Sequence, residues 1–276
     1  MKKVNLKYHV LSGFLPTAYL ETALSAGILA YAVGVSSGFD SALPYAFFLF
    51  FATLSMYNLL RGVSLTRALQ NLSFGTLVNI VHIPIHFVFS GICGLIALIF
   101  LLFLSFDLSV LLLLGLLFII TILYRFKWLL INGFRVSLSD LPFIKAFLVA
   151  FTWTMLTVFV PMQNNQINIG MLVASFFFFL ALSIPFDVKD IQFDPRSRKT
   201  FPQVFGVRNA LILSAVIHLI ASVVLFLSVD EVSWFWLTFV NLFFLFLINR
   251  INISNFQLLY FRLLDITPLL WALMIF

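Results

Sequence analysis

A chain of 276 residues that is 63% hydrophobic and only 9% charged has more apolar surface than one soluble core can hide, since an ordinary soluble domain is about 25% charged. That excludes a soluble fold and predicts an integral membrane protein. The net charge of +6 comes without a soluble basic segment to offer nucleic acid, so no nucleic-acid partner is expected. The apolar runs are continuous rather than alternating, which excludes a barrel and predicts an all-α bundle formed as one domain over residues 1–276. Lone Cys93 rules out an internal disulfide.

Nine spans are expected, over 13–35, 43–60, 87–106, 108–125, 144–161, 168–186, 209–229, 232–249 and 256–276, each near the ~20 residues that cross a bilayer. Lys2 and Lys3 precede the first, and Ala30-Tyr31-Ala32 has the look of a cleavage site. The stretch is nevertheless long enough to span, and its removal would break the charge pattern described below. Glu21 lies about two turns into this span with no near neighbour in sequence to pair with it. The second span ends in Met56-Tyr57-Asn58-Leu59-Leu60-Arg61-Gly62. The inner connection Gly62–His86 carries His82 and His86 at i, i+4, a spacing that can ligate a metal on a helix. With Pro84 between them and no acid beside them, an interfacial loop is the expected reading. A second long inner connection, Phe126–Phe143, precedes Lys145 at the start of span 5. Span 6 carries no charge from Gly170 to Phe186 and then ends in Asp187, Asp190 and Asp194. A third long connection, Val188–Arg208, follows. His218 stands alone in span 7, Trp234 and Trp236 open span 8 as an aromatic belt would, and Arg262 and Asp265 lie one turn apart in span 9.

The charges orient the bundle. With the N-terminus in the cytoplasm, all 16 Lys and Arg residues sit on or near the inner side. The outer side carries Asp40, Asp107, Asp230 and Glu231 and no base. The positive-inside rule therefore predicts a cytoplasmic N-terminus and an external C-terminus. Outer connections are short and inner ones run from about 18 to about 25 residues, a length usually kept for function, so the chemistry is expected on the cytoplasmic face.

On a helix Asp187, Asp190 and Asp194 share one face. Like charges at the end of a span need a cation or water to compensate them. Mg²⁺ is suited to the task, because it binds a few carboxylates and completes its shell with phosphate oxygens and water. Glu21, Lys145, Arg262 and Asp265 all fall in cytoplasmic halves and are expected to line one polar pocket. The simpler alternative is a local Arg262–Asp265 pair with Lys145 snorkelling. Most of the 36 Phe residues must touch lipid or packing neighbours, since runs such as Phe176 to Phe179 cover every face of a helix.

The aspartate string continues into Arg198-Lys199-Thr200-Phe201-Pro202-Gln203-Val204-Phe205-Gly206. Nine spans, a D-x-x-D-x-x-x-D string ending the sixth, and a following basic-Thr-x-Pro-x-x-x-Gly tail resemble the UbiA superfamily of intramembrane prenyltransferases. The resemblance implies a helical bundle around a central cavity open to the cytoplasm, with two Asp-rich motifs facing each other. Mg²⁺ held there would bind the diphosphate of a polyprenyl donor, whose isoprenoid group passes to a lipophilic or aromatic acceptor. By resemblance, Asp187, Asp190 and Asp194 are metal ligands and form the catalytic set with Lys145. Asn58, Arg61, Lys127, Lys189, Arg198, Lys199 and Glu21 are candidates for binding substrate.

Two places depart from the family pattern. Where a first motif N-D-x-x-D is usual, this chain offers Asn58 as a neutral oxygen ligand and Arg61 as a fixed cation for the diphosphate. Where Tyr-Pro-x-x-Lys-Arg is frequent, it has Tyr124-Arg125-Phe126-Lys127. The Tyr-Asn pair with a following base is similar to a divergent branch in Bacteroidetes-type bacteria, which implies a multi-pass protein of the bacterial inner membrane. The missing carboxylates leave a second expectation open, a catalytically impaired relative that binds an isoprenoid lipid or a membrane partner. A transporter is the third, opposed by the absence of charge in the outer halves of the spans.

Overall fold

The computed structural model describes residues 19–70, 77–125, 129–131, 134–163, 167–191, 199–229, 232–251 and 258–275. Within them the apolar runs are helical, because a helix satisfies its own backbone groups where lipid cannot. In chain order these are α1 (Leu20–Ser36), α2 (Ala42–Gln70), α3 (Leu77–Leu102), α4 (Leu108–Arg125), α5 (Ile144–Met162), α6 (Ile169–Asp190), the short α7 (Phe201–Phe205), α8 (Val207–Ser228), α9 (Trp234–Arg250) and α10 (Leu258–Ala272). A long helix occupies each of the nine expected intervals. The apolar parts of α2, α3, α5, α6 and α8 are long enough to cross a membrane, while α1, α4 and α9 are apolar but shorter.

Neighbours along the chain mostly pack together: α1 on α2, α2 on α3, α5 on α6. Three longer-range contacts close the bundle, with α8 on α6, α10 on α1, and α1 on the middle of α5. α6 is the most enclosed of the candidate spans, with 61% of it buried against 22% for α3, so it forms the centre. Its Phe178 stacks on Trp271 of α10 at 4.2 Å between ring centroids. Leu95, Leu98 and Leu102 of α3, Leu112 and Leu116 of α4 and Val223 and Leu227 of α8 are exposed, as expected of faces turned to lipid chains. Small residues bring α1 and α2 close: a Cβ on Gly27 would lie 3.0 Å from the Ala46 carbonyl, and one on Gly34 would lie 2.8 Å from the Ala42 Cβ.

α5 widens into a π-helical turn over Met155–Phe159. Pro161 follows and has no N–H to donate back into that turn. The Leu156 carbonyl instead accepts the Tyr45 hydroxyl of α2 at 2.6 Å, so the irregularity is built into the helix packing.

Two inner connections differ from expectation. α2 runs to Gln70 and α3 starts at Leu77, so most of the anticipated loop 62–86 is helix. Ser64 to Gln70 contains no Gly or Pro to break a helix, and Pro84 is accommodated inside α3. The connection after α4 holds a small antiparallel hairpin, β1 (Leu129–Ile131) with β2 (Phe134–Val136), registered by the pair Ile131↔Phe134. The rest of the described fold is helical.

Candidate functional site

Asp187 and Asp190 stand one turn apart at the end of α6. Both turn toward α5, where Lys145 Nζ lies 2.8 Å from Asp187 Oδ1 and 3.2 Å from Asp190 Oδ2. The Asp187 side chain is 3% exposed, Lys145 14% and Asp190 41%, so the pair reaches from the buried interior to the surface. Two carboxylates therefore converge on one cationic atom.

The start of α5 is fixed by an unusual backbone. Phe143, at its N-cap, has φ 59°, a left-handed conformation that costs a non-glycine residue about 1–2 kcal/mol. Its ring packs on Phe201 and Phe205 of α7, at 5.2 and 6.4 Å. Lys199, just ahead of α7, is the other described non-glycine residue at positive φ, 45°. Phe143 thus holds its constrained backbone two residues before Lys145, where such strain is typically held by the surrounding structure. The Thr-Pro-Gly tail has a backbone explanation here. Thr200 N–H donates to Gln203 Oε1 at 3.2 Å, Pro202 sits in the first turn of α7, and Gly206 turns the chain into α8 at φ 79°, ψ 157°.

A small, partly open cavity of about 70 Å³ lies among α1, α2, α5, α6 and α10. Ser183 and Phe186 of α6 and Val149 and Trp153 of α5 line it. Ser183 is one turn before Asp187, and Val149 is one turn after Lys145, so the ion cluster lies one turn to the base-rich side of the same helical faces. Phe179 and Leu182 add apolar wall. Thr22, Ser25, Tyr57 and Asp265 add polar wall.

The expected site residues divide into groups. Asp187, Asp190 and Lys145 come together. Asp265 lines the cavity, and Arg262 pairs beside it with Glu21 at 3.9 Å. Lys189 lies within electrostatic reach of Asp265. The four ionisable residues expected in one pocket therefore form two neighbouring sets, and the partner of Arg262 is Glu21. Lys145 is held by the two aspartates rather than stretched toward the surface.

Asn58 is fully buried: its amide donates to the Leu54 carbonyl at 2.8 Å, and its Oδ1 meets His86 Nδ1 at 2.7 Å. One turn on, half-buried Arg61 makes no ion pair among the described residues, and its Nε makes no hydrogen bond there. Lys199 is exposed. Asp194, Arg198 and Lys127 lie outside the described residues.

The sequence alone does not single out His86, because Pro84 and the lack of an adjacent acid favour an interfacial loop. Nor does it single out the Thr22-Ser25 face of α1, whose i, i+3 spacing next to Glu21 was the available signal. Among the described residues no three His, Cys, Asp or Glu side chains converge as a metal site. The two carboxylates that do converge suit a hard divalent ion whose remaining ligands are phosphate and water.

No family profile matches the chain, and no characterised protein matches it by sequence. A structural likeness does exist, to a UbiA homolog from Archaeoglobus fulgidus bound to GPP and Mg²⁺, with a TM-score of 0.56 and 16% identity. It covers 95% of this chain and 98% of the other. The chain thus has the UbiA fold over nearly its whole length, the architecture implied by its aspartate string.

Proposed function

We propose that this protein is an intramembrane prenyltransferase, moving an isoprenoid group from a polyprenyl diphosphate to a lipophilic or aromatic acceptor. The observation that carries the reading is the convergence of Asp187 and Asp190 on one cation beside an intramembrane cavity. The GPP and Mg²⁺ bound by the structurally similar protein agree with it. Mg²⁺ held by Asp187 and Asp190, with Asp194 as a further ligand, would offset the charge that gathers on a departing diphosphate. Lys145 is close enough to exchange the carboxylates for a diphosphate oxygen, and Arg61 supplies a second cation from α2. Lys189, Lys199, Arg198 and Lys127 add positive charge on the same side. Phe179, Leu182, Phe186 and Trp153 give the isoprenoid an apolar wall and offer aromatic faces to positive charge on its allylic carbons. The allylic C–O bond breaks with its electron pair leaving on the diphosphate, and the acceptor forms the new bond as it loses a proton. The setting is a bacterial inner membrane with the basic ends of the helices in the cytoplasm.

One observation favours a second reading. Asn58, standing where the first motif's acids would be, is committed to His86 and Leu54. A relative that binds the isoprenoid diphosphate without turning it over would need no second carboxylate pair. Diphosphate release by the purified protein separates the two. Incubation with geranyl, farnesyl or geranylgeranyl diphosphate and a panel of acceptors should give Mg²⁺-dependent release that Asp187→Asn abolishes. Binding without release across the panel, in folded protein, would leave the second reading.

A further inference from the structure

Asp265 enters the membrane part of the bundle on α10, where a carboxylate needs a reason. Its Oδ1 accepts the Thr22 hydroxyl at 3.0 Å, and Ser25 donates to its backbone carbonyl at 2.7 Å. Two side chains of α1 thus hold it in place, while Oδ2 accepts no hydrogen bond among the described residues. The residue lines the cavity together with Thr22, Ser25, Tyr57, Trp153 and Ser183. The nearby cation Arg262 is engaged by Glu21, and Lys189 on α6 adds a further positive field. The cavity therefore carries a carboxylate acceptor fixed against its wall, separate from the pair on α6, with an apolar surround.

We infer that this polar wall is the acceptor subsite, and that it selects an acceptor presenting a hydroxyl group to Asp265 Oδ2. The inference rests on the prenyl-transfer reading for its chemistry. As the acceptor oxygen forms its bond to the allylic carbon, its proton passes to Oδ2, and diphosphate departs with the electrons of the broken C–O bond. Charge and atoms balance: Asp265 becomes neutral and the product is an ether. An acceptor without a hydrogen-bond donor leaves the carboxylate unanswered, and one bearing a carboxylate is repelled by it.

The test is binding, read as the ligand-induced rise in unfolding temperature of the full chain in lipid nanodiscs. The probes are 4-hexylphenol, its methyl ether 4-hexylanisole, and 4-hexylbenzoate. The phenol should bind about tenfold more tightly than the ether, and the benzoate should give no shift. Asp265→Asn, which keeps an oxygen for Thr22, should cut the preference for phenol over ether to about threefold or less. Equal affinity for phenol and ether in the wild type, or an undiminished preference in Asp265→Asn, overturns the inference. The wild-type comparison decides even if the variant does not fold. Asp187→Asn should leave the phenol preference intact, so loss of donor chemistry is distinguishable from loss of this subsite.

Discussion

Lys145 and Asp187 neutralise one another inside the bundle, and that governs what either can be replaced by. Lys145→Met takes a close cation from an almost fully buried carboxylate, which typically costs about 3 kcal/mol. Thermal unfolding should show a large drop for Lys145→Met and a smaller one for Lys145→Met combined with Asp187→Asn, which removes the buried charge that Lys145 offsets. A double variant as unstable as the single would contradict the pairing. The same reasoning predicts that Mg²⁺ alone raises the unfolding temperature of Lys145→Met more than that of the wild type, because the carboxylates have lost their resident cation. At this scale the sequence was informative for Asp187 and Asp190, since helical spacing aligns them. It could not pair Lys145 with them across a separation of 42 residues to Asp187 and 45 to Asp190, nor match Arg262 with Glu21. Those partners are set by how α5 meets α6 and how α10 meets α1, which spacing along one helix does not encode.

At the scale of the element, two backbone irregularities make separate predictions. Tyr45→Phe removes the donor that satisfies the Leu156 carbonyl in the π-helical turn and should cost about 1 kcal/mol in unfolding measurements. An unchanged midpoint would mean that the turn needs no partner. Gly206 occupies a backbone region essentially reserved for glycine, so Gly206→Ala should destabilise by about 2 kcal/mol. Gly115 of α4 is the control: a Cβ there meets nothing within 4 Å, and Gly115→Ala in a helix interior should stabilise by up to about 1 kcal/mol. The apolar segments were readable because continuous hydrophobicity forces helix. Their inner ends were not, since α2 runs on through the more polar stretch 61–70, where hydropathy is silent, and α3 takes Pro84 inside it. The hairpin after α4 is not legible in hydropathy, which shows only a long inner connection there.

For the whole molecule, composition dictated the class, and the bundle's likeness to a solved UbiA homolog agrees with the span pattern. We propose the sidedness that the distribution of Lys and Arg implies, with the basic ends of the helices in the cytoplasm. It predicts that Asp107→Cys, between α3 and α4, is labelled by an impermeant maleimide in intact cells, while exposed Lys199→Cys is labelled only after lysis. Buried Cys93 supplies little background. The opposite pattern would invert the bundle. The central claim is that the end of α6 holds a divalent ion that in turn holds an isoprenoid diphosphate. Its most direct measurement is the affinity of the purified protein for geranylgeranyl diphosphate, titrated with Mg²⁺ and again with chelator. The account predicts tight binding only with Mg²⁺, weakened at least about tenfold by Asp187→Asn or Asp190→Asn. Equal affinity with chelator, or in both variants, would contradict it.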